Sequence, residues 1–294
     1  MAQNELAAIS ENVLSKIDTY KTSGEIKLPP DYSPENAIRS AYLVLLETKT
    51  KEGKGVLDVC TKESIANALL KMVVWGLSPL KKQCDFIPYG NQLQCTPEYT
   101  GNILLAKRYG GLIDYKPNAI FKGDDFKYEI GEDGRRKIIH HKQSLESLGG
   151  DVIGAYATYE LSNGQKDVEI MNINQIRAAW NQGTMKGGSG AHKNFTDQMA
   201  IKSVLNRMCK LLVRTSDDTV LGLSGSDSLD GEAEQKDNNT QKQLSEKVNV
   251  EYIGFEEVEN KTGKDESKVS ETKNSNSKTL FEEEQQDESD KAPY

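Results

Sequence analysis

Between residues 5 and 20 the apolar positions are Leu6, Ile9, Val13, Leu14 and Ile17, the three-and-four spacing of an amphipathic helix. Residues 22–30 break that pattern and close on Pro29-Pro30. Ser33-Pro34-Glu35 then supplies a cap, a proline at the first helical position and an acid in the first turn, predicting a helix to about Glu47. A basic, glycine-containing loop follows over residues 50–55. Thr61 caps a further helix, which carries Ile65, Leu69, Met72, Val73 and Trp75 and stops at Gly76. From Cys84 the period changes to two. Residues 85–89 and 92–95 predict strands on either side of a Gly90-Asn91 turn. Residues 97–109 return to helix until Gly110-Gly111. Residues 115–121, 126–130 and 135–141 alternate as strands, the last two joined through Gly131-Glu132-Asp133-Gly134. Residues 152–161 and 167–171 flank Asn163-Gly164, a strong hairpin signal. A short helix over 174–180, a glycine-rich stretch over 182–190 and a helix over 196–213 follow. This mixture predicts an α+β fold, with antiparallel hairpins and helices around a shared groove.

The helix over 196–213 carries the chemistry. Thr196 is its expected N-cap, and Asp197 suits the dipole in the first turn. At about 100° per residue, Leu205, Met208, Leu211 and Leu212 gather on one side with Val204 and Met199 nearby. Lys202, Arg207, Lys210 and Arg214 gather opposite, with Ser203 and Asn206. From Lys186 to Arg214 there are six Lys/Arg and one acid, Asp197. A solvated face usually mixes signs to gain i,i+4 pairs, whereas a single sign points to a polyanion. Arg207 has an alternative in pairing internally with an acid. Lys186 and Lys193 flank the glycine-rich stretch, which reads as a mobile basic flap beside Arg177. It contains no G-x-x-x-x-G-K-[ST], so it is not a nucleotide phosphate loop. Lys107 and Arg108 sit at a helix C-terminus, where they also complement the dipole.

The net charge of −8 would argue against a DNA-binding protein if it were spread evenly. It is not. Residues 223–294 hold 9 Lys/Arg and 19 Asp/Glu, a net −10, while residues 1–222 hold 28 and 26, a net +2. The tail is too polar to offset its own ordering entropy and reads as disordered, with an apolar island around Tyr252, Ile253 and Phe255 suited to a partner. Three segments are therefore expected: an N-terminal helix and linker over 1–32, a core over 33–222 and an acidic tail over 223–294. The four cysteines form no C-x-x-C pair, and His140, His141 and His192 complete no zinc spacing. Buried free thiols, no signal-like N-terminus and no long apolar run fit a cytoplasmic protein with no membrane association.

Two blocks carry a family resemblance. Phe195-x-x-Gln198-Met199-Ala200-x-Lys202-Ser203-x-Leu205-x-Arg207-x-x-Lys210 resembles the signature helix of the RecT family of phage single-strand annealing proteins. Gly76-Leu77-x-Pro79, Ile87-Pro88-Tyr89-Gly90, Tyr99-x-Gly101 and Leu105-Ala106-Lys107-Arg108 resemble its central region in order and spacing. Residues 61–213 are covered. Where family members often carry Gly-Pro and then Trp before the signature helix, this chain has Gly188-Ser189-Gly190-Ala191-His192. The resemblance implies ATP-independent binding and annealing of single-stranded DNA and an annealed duplex intermediate. It further implies self-assembly into rings or helical filaments, a 5′-to-3′ exonuclease partner, a possible host single-strand binding protein partner, and a fold likened to eukaryotic annealing proteins.

On that reading the ssDNA-binding candidates are Lys202, Arg207, Lys210, Lys193, Lys186, Arg177, Lys107 and Arg108. Base stacking by Trp75, Trp180 or Phe195 stays open, although Trp75 reads first as core. No catalytic constellation is found and no cofactor is needed, with Mg²⁺ at most a modulator of annealing. A metal-dependent nuclease would need grouped carboxylates, and the body offers only the doublets Asp124-Asp125 and Asp217-Asp218. A third possibility is an interaction protein that uses the acidic tail, with the basic helix at a protein interface.

Overall fold

The computed structural model describes residues 3–183 and 185–216. The tail, including Tyr252, Ile253, Phe255 and the Asp217-Asp218 doublet, lies outside the described residues. The fold is a mixture of helices and antiparallel strands, as the alternating periods predict. Helices α1 (Gln3–Ser23), α2 (Pro34–Glu47), α3 (Val56–Val59) and α4 (Lys62–Val74) come first. The hairpin of β1 (Cys84–Tyr89) and β2 (Gln92–Pro97) packs on α4. Helix α5 (Tyr99–Arg108) leads into β3 (Leu112–Phe121), the hairpin of β4 (Asp125–Ile130) and β5 (Arg136–Lys142), and then β6 (Val152–Leu161) and β7 (Lys166–Asn172). Helices α6 (Ile173–Asn181), α7 (Gly190–Asn194) and α8 (Thr196–Arg214) follow.

Local chemistry sets most of these boundaries. Asn36 N–H donates to the Ser33 side chain at the start of α2, and Ser64 N–H donates to Thr61 at the start of α4. Asn172 and Gln175 form a reciprocal capping box on α6. Gly76 takes φ +65°, the left-handed conformation that ends α4. Gly101 answers a different need. A Cβ there would lie 1.9 Å from the Gln83 carbonyl oxygen, so only glycine lets α5 approach the loop behind it.

Strands β3, β6 and β7 form one antiparallel sheet in the order β3-β6-β7. Alternation sends Ala119, Phe121, Ala155, Ala157 and Met171 into the main core, against α8. The opposite face buries Ile120, Tyr156 and Val168 under Phe126 and Ile138 of the β4–β5 hairpin. Beneath that hairpin Asp124 accepts from Phe121 N (2.8 Å), Gln143 Nε2 (2.9 Å) and Ser147 Oγ. With Nε2 protonated, His141 also donates to Asp124 at 3.0 Å, and its Nδ1 accepts from the Tyr156 hydroxyl at 3.1 Å. The first half of the Asp124-Asp125 doublet is thus turn and hairpin chemistry. Asp125 separately meets His140 at 2.8 Å.

Leu6, Ile9, Val13 and Ile17 of α1 and Ile26 of the linker are buried in the same core as α4. Several expectations change. Helices α3 and α7 are additions, too short for periodicity to register. Thr196 is not the cap of α8. Phe195 holds that position without a side-chain cap bond, and Thr196 Oγ1 donates back to the His192 carbonyl at 2.8 Å. Leu211 leaves the apolar side and is 44 % exposed, while Ala200, Val204, Leu205, Met208, Cys209, Leu212 and Val213 form the buried face. All four cysteines are free and buried, as their spacing predicts. No helix among the described residues is long and apolar enough to cross a membrane.

Candidate nucleic-acid interface

Helix α8 packs against α5, β6 and β3, with α6, α7 and β7 alongside. Its polar side is consequently a strip between neighbours rather than an open surface. Asn102 of α5 donates to Asn206 at 2.9 Å, and the Trp180 indole of α6 donates to Ser203 at 2.8 Å. Lys202 is half-buried, its Nζ 5.3 Å from the Tyr99 ring centroid. Burial and the neighbouring Asp85 carboxylate push the Glu98 carboxyl up, while Lys202 and Lys82 pull it down. Arg207 is exposed, but its Nε lies 3.3 Å from Glu169 Oε1 on β7, the internal pairing that its position left open. Lys210, half-buried, continues the strip.

Trp180 organises the second basic group. Gly187 lies against its ring, and His192 meets it edge-on at 4.7 Å between centroids. Ser189 caps α7 by accepting from His192 N–H. Within the stretch expected to form a mobile flap, Gly187 meets that indole, and turn bonds run from Lys186 N to Gly183 O and from Gly188 N to Met185 O. Lys186 sits exposed in that turn with φ +45°, the left-handed region that a lysine rarely occupies. Lys193 on α7 and Arg177 on α6 are exposed as well. Phe195, 53 % exposed, lies between α7 and α8. Trp180, reached from an earlier helix, is thus one of the aromatics beside α8, with Tyr99 and Phe195.

Lys107 is exposed at the end of α5 with its Nζ 5.5 Å from the Tyr115 ring centroid. Arg108 turns inward. Its Nη1 donates to the carbonyls of Gly76 (2.8 Å) and Trp75 (3.2 Å), satisfying the C-terminus of α4. Trp75 is buried with Lys71 4.7 Å from its ring centroid, so it packs in the core. Lys202, Arg207 and Lys210 lie along α8, Arg177, Lys186 and Lys193 lie on the segments that lead from α6 to α8, and Arg108 bonds the end of α4.

Two residues outside the sequence-based set join the strip. Glu169 and Arg136 meet at 3.7 Å, so Glu169 faces Arg136 of β5 as well as Arg207 of α8. The sequence does hold a signal for Arg136, since alternation turns it away from Arg135 and Lys137. Nothing in the sequence pairs it with Glu169, which lies 33 residues further along. Among the described residues no three His, Cys, Asp or Glu side chains are grouped to hold a metal ion.

The sequence profile of the RecT family matches residues 35–243. The chain belongs to the RecT family. A similar protein is Protein RecT of Escherichia coli (strain K12), 26 % identical over 195 residues that cover 63 % of this chain and 68 % of that protein. The RecT match begins in the first turn of α2, so α1 lies outside it although it completes the core. It ends past residue 222, where the composition changes, and takes in the first part of the acidic segment.

Proposed function

We propose that this RecT-family chain binds single-stranded DNA and anneals complementary strands in phage or prophage recombination, without ATP. The observation that carries the reading is the set of cations Lys202, Arg207 and Lys210 along α8, which coincides with the family signature on a helix packed against α5 and the β3-β6-β7 sheet. Cations on a rigid helix track phosphates and leave base edges free, so a second strand can pair while the first is held extended. Arg177, Lys186, Lys193 and Lys107 extend the track on neighbouring elements. Assembly into rings or filaments would repeat the strip along a strand. A 5′-to-3′ exonuclease would supply the single strand, a host single-strand binding protein would meet the same substrate, and Mg²⁺ would modulate annealing in the cytoplasm.

The test is annealing of two complementary oligonucleotides without nucleotide, with and without Mg²⁺. Full-rate annealing is expected, and an absolute need for ATP hydrolysis would overturn the reading. Alanine at Lys202, Arg207 and Lys210 together should weaken binding uniformly across sequences. It should also lower the salt slope by about one unit for each phosphate no longer neutralised. Wild-type affinity and slope in that variant would make the strip a solvated face.

A further inference from the structure

Glu169 is the point where the α8 strip meets the β4–β5 hairpin. Arg207 Nε lies 3.3 Å and Arg136 Nη1 3.7 Å from the same oxygen, Oε1. A charge-assisted hydrogen bond closes to roughly 2.7–2.9 Å, and this oxygen, shut off from solvent, makes none. The acid is therefore held by charge and not locked in a bidentate fork. Exposure divides the same way: the Glu169 side chain is 13 % exposed, while Arg207 and Arg136 remain 45 % and 41 % exposed. Two guanidinium groups from separate elements thus converge on one carboxylate and keep donors toward solvent. Asp167, Tyr159 and Arg135 complete the surroundings.

We propose that Arg136 and Arg207 together seat one backbone phosphate of the single strand, and that Glu169 occupies the seat in its place in the free protein. The inference rests on the single-strand binding proposed above and adds Arg136, the hairpin and a resident competitor to it. Planar guanidinium groups match phosphate oxygens as they match a carboxylate. Without an anion between them the two cations would repel one another and splay. Glu169 keeps them converged, and a phosphate arriving from solvent meets their exposed donors. Binding at this point is an exchange of one anion for another, so the seat fixes the strand's position while adding little net affinity. A strand held this way is easily released once paired. The exchange also ties DNA to the hairpin, because Arg136 belongs to β5 and not to the helical layer.

Glu169→Gln tests this, since it keeps the shape and removes the competing charge. With full-length protein and an oligothymidylate probe, the variant should bind roughly two- to five-fold tighter at low salt, the scale of one partly exposed ion pair. Its salt dependence should also steepen. Arg136→Ala should weaken binding and lower the slope only slightly in the wild type, and by about one unit in the Glu169→Gln background, where no resident acid offsets the contact. Arg136→Lys should keep most of the slope. Each variant is compared at matched folded fraction, checked by its thermal transition. If Glu169→Gln and Arg136→Ala shift only that transition, leaving affinity and slope per folded molecule unchanged, the cluster is an internal staple and the proposal fails. Weaker binding by Glu169→Gln would also overturn it, because the acid would then be supporting the site. Loss of binding by the wild type would instead refute the single-strand reading itself.

Discussion

Four donors on one buried carboxylate define the ionisation of Asp124. Burial pushes its pKa up, but hydrogen bonds from Ser147, Gln143, the Phe121 amide and His141 outweigh that and hold it well below the usual carboxylate range. The unfolded chain therefore binds the proton first as pH falls. The stability that Asp124 supplies is complete above the ordinary aspartate pKa near 3.9 and declines below it, toward the lowered folded value. Asp124→Asn should cost roughly 3 kcal/mol at neutral pH, since it leaves buried donors facing an amide. It should also flatten the acid limb of stability against pH. Thermal unfolding of both proteins between about pH 2 and 6 checks this, and parallel limbs would show that another group governs acid lability. In the sequence Asp124 is visible only as half of a doublet. Its partner His141 is 17 residues away, and no period or spacing joins them. Glu169 and Arg136 are obscure for the same reason, whereas Arg207 stands out because its helix is plain from the pattern.

At the scale of elements, turn chemistry and period suffice for the β1–β2 and β6–β7 hairpins, which pair about Gly90-Asn91 and Asn163-Gly164 as those signals predict. Such signals are local, so a single sequence carries them. The contacts of the segment between α6 and α8 come from a side chain outside it. Trp180 supplies a ring that meets Gly187 and, at a steep angle, His192, and an N–H for Ser203. Glycine-rich composition gives no sign of these contacts, because they depend on tertiary packing. Trp180→Ala should lose about half of the ~3–5 kcal/mol typical of a fully buried aromatic, since the ring is only half-buried. The loss should be local: proteolysis within residues 182–194 should speed up well before global unfolding, as for a low-stability unit. Unchanged cleavage there would mean that the turn bonds alone hold the segment. Trp180→Phe should keep the packing and give an intermediate rate.

For the whole molecule, the charge division between body and tail remains the strongest feature of the sequence. A net −10 after residue 222 is tethered to a cationic strip. Two roles follow: competition with DNA as a tethered polyanion, or presentation of Tyr252, Ile253 and Phe255 to a recombination partner. We expect docking. Because the family match runs to residue 243, truncation after 243 is the cleaner cut, with truncation after 222 as comparison. Removal of the tail after 243 should leave oligonucleotide affinity unchanged at two salt concentrations and abolish recombination in cells. Binding that tightens several-fold at low salt, where exposed charges are least screened, would assign the tail to competition.

The central position of α8 has a consequence for synthesis. Its apolar face fills the space between α5 and the β3-β6-β7 sheet, yet it is the last described element of the chain. Until residue 213 is made, the apolar faces waiting for α8 have nothing to cover them, and the nascent body needs protection from aggregation. The chain continues for at least 80 residues beyond Arg214. At about 5–20 residues per second that extension takes roughly 4–16 s to translate. During that interval α8 can leave the ribosome and dock while the polypeptide is still attached. The acidic segment would then act as a timer that lets the body close before release, whatever it later binds.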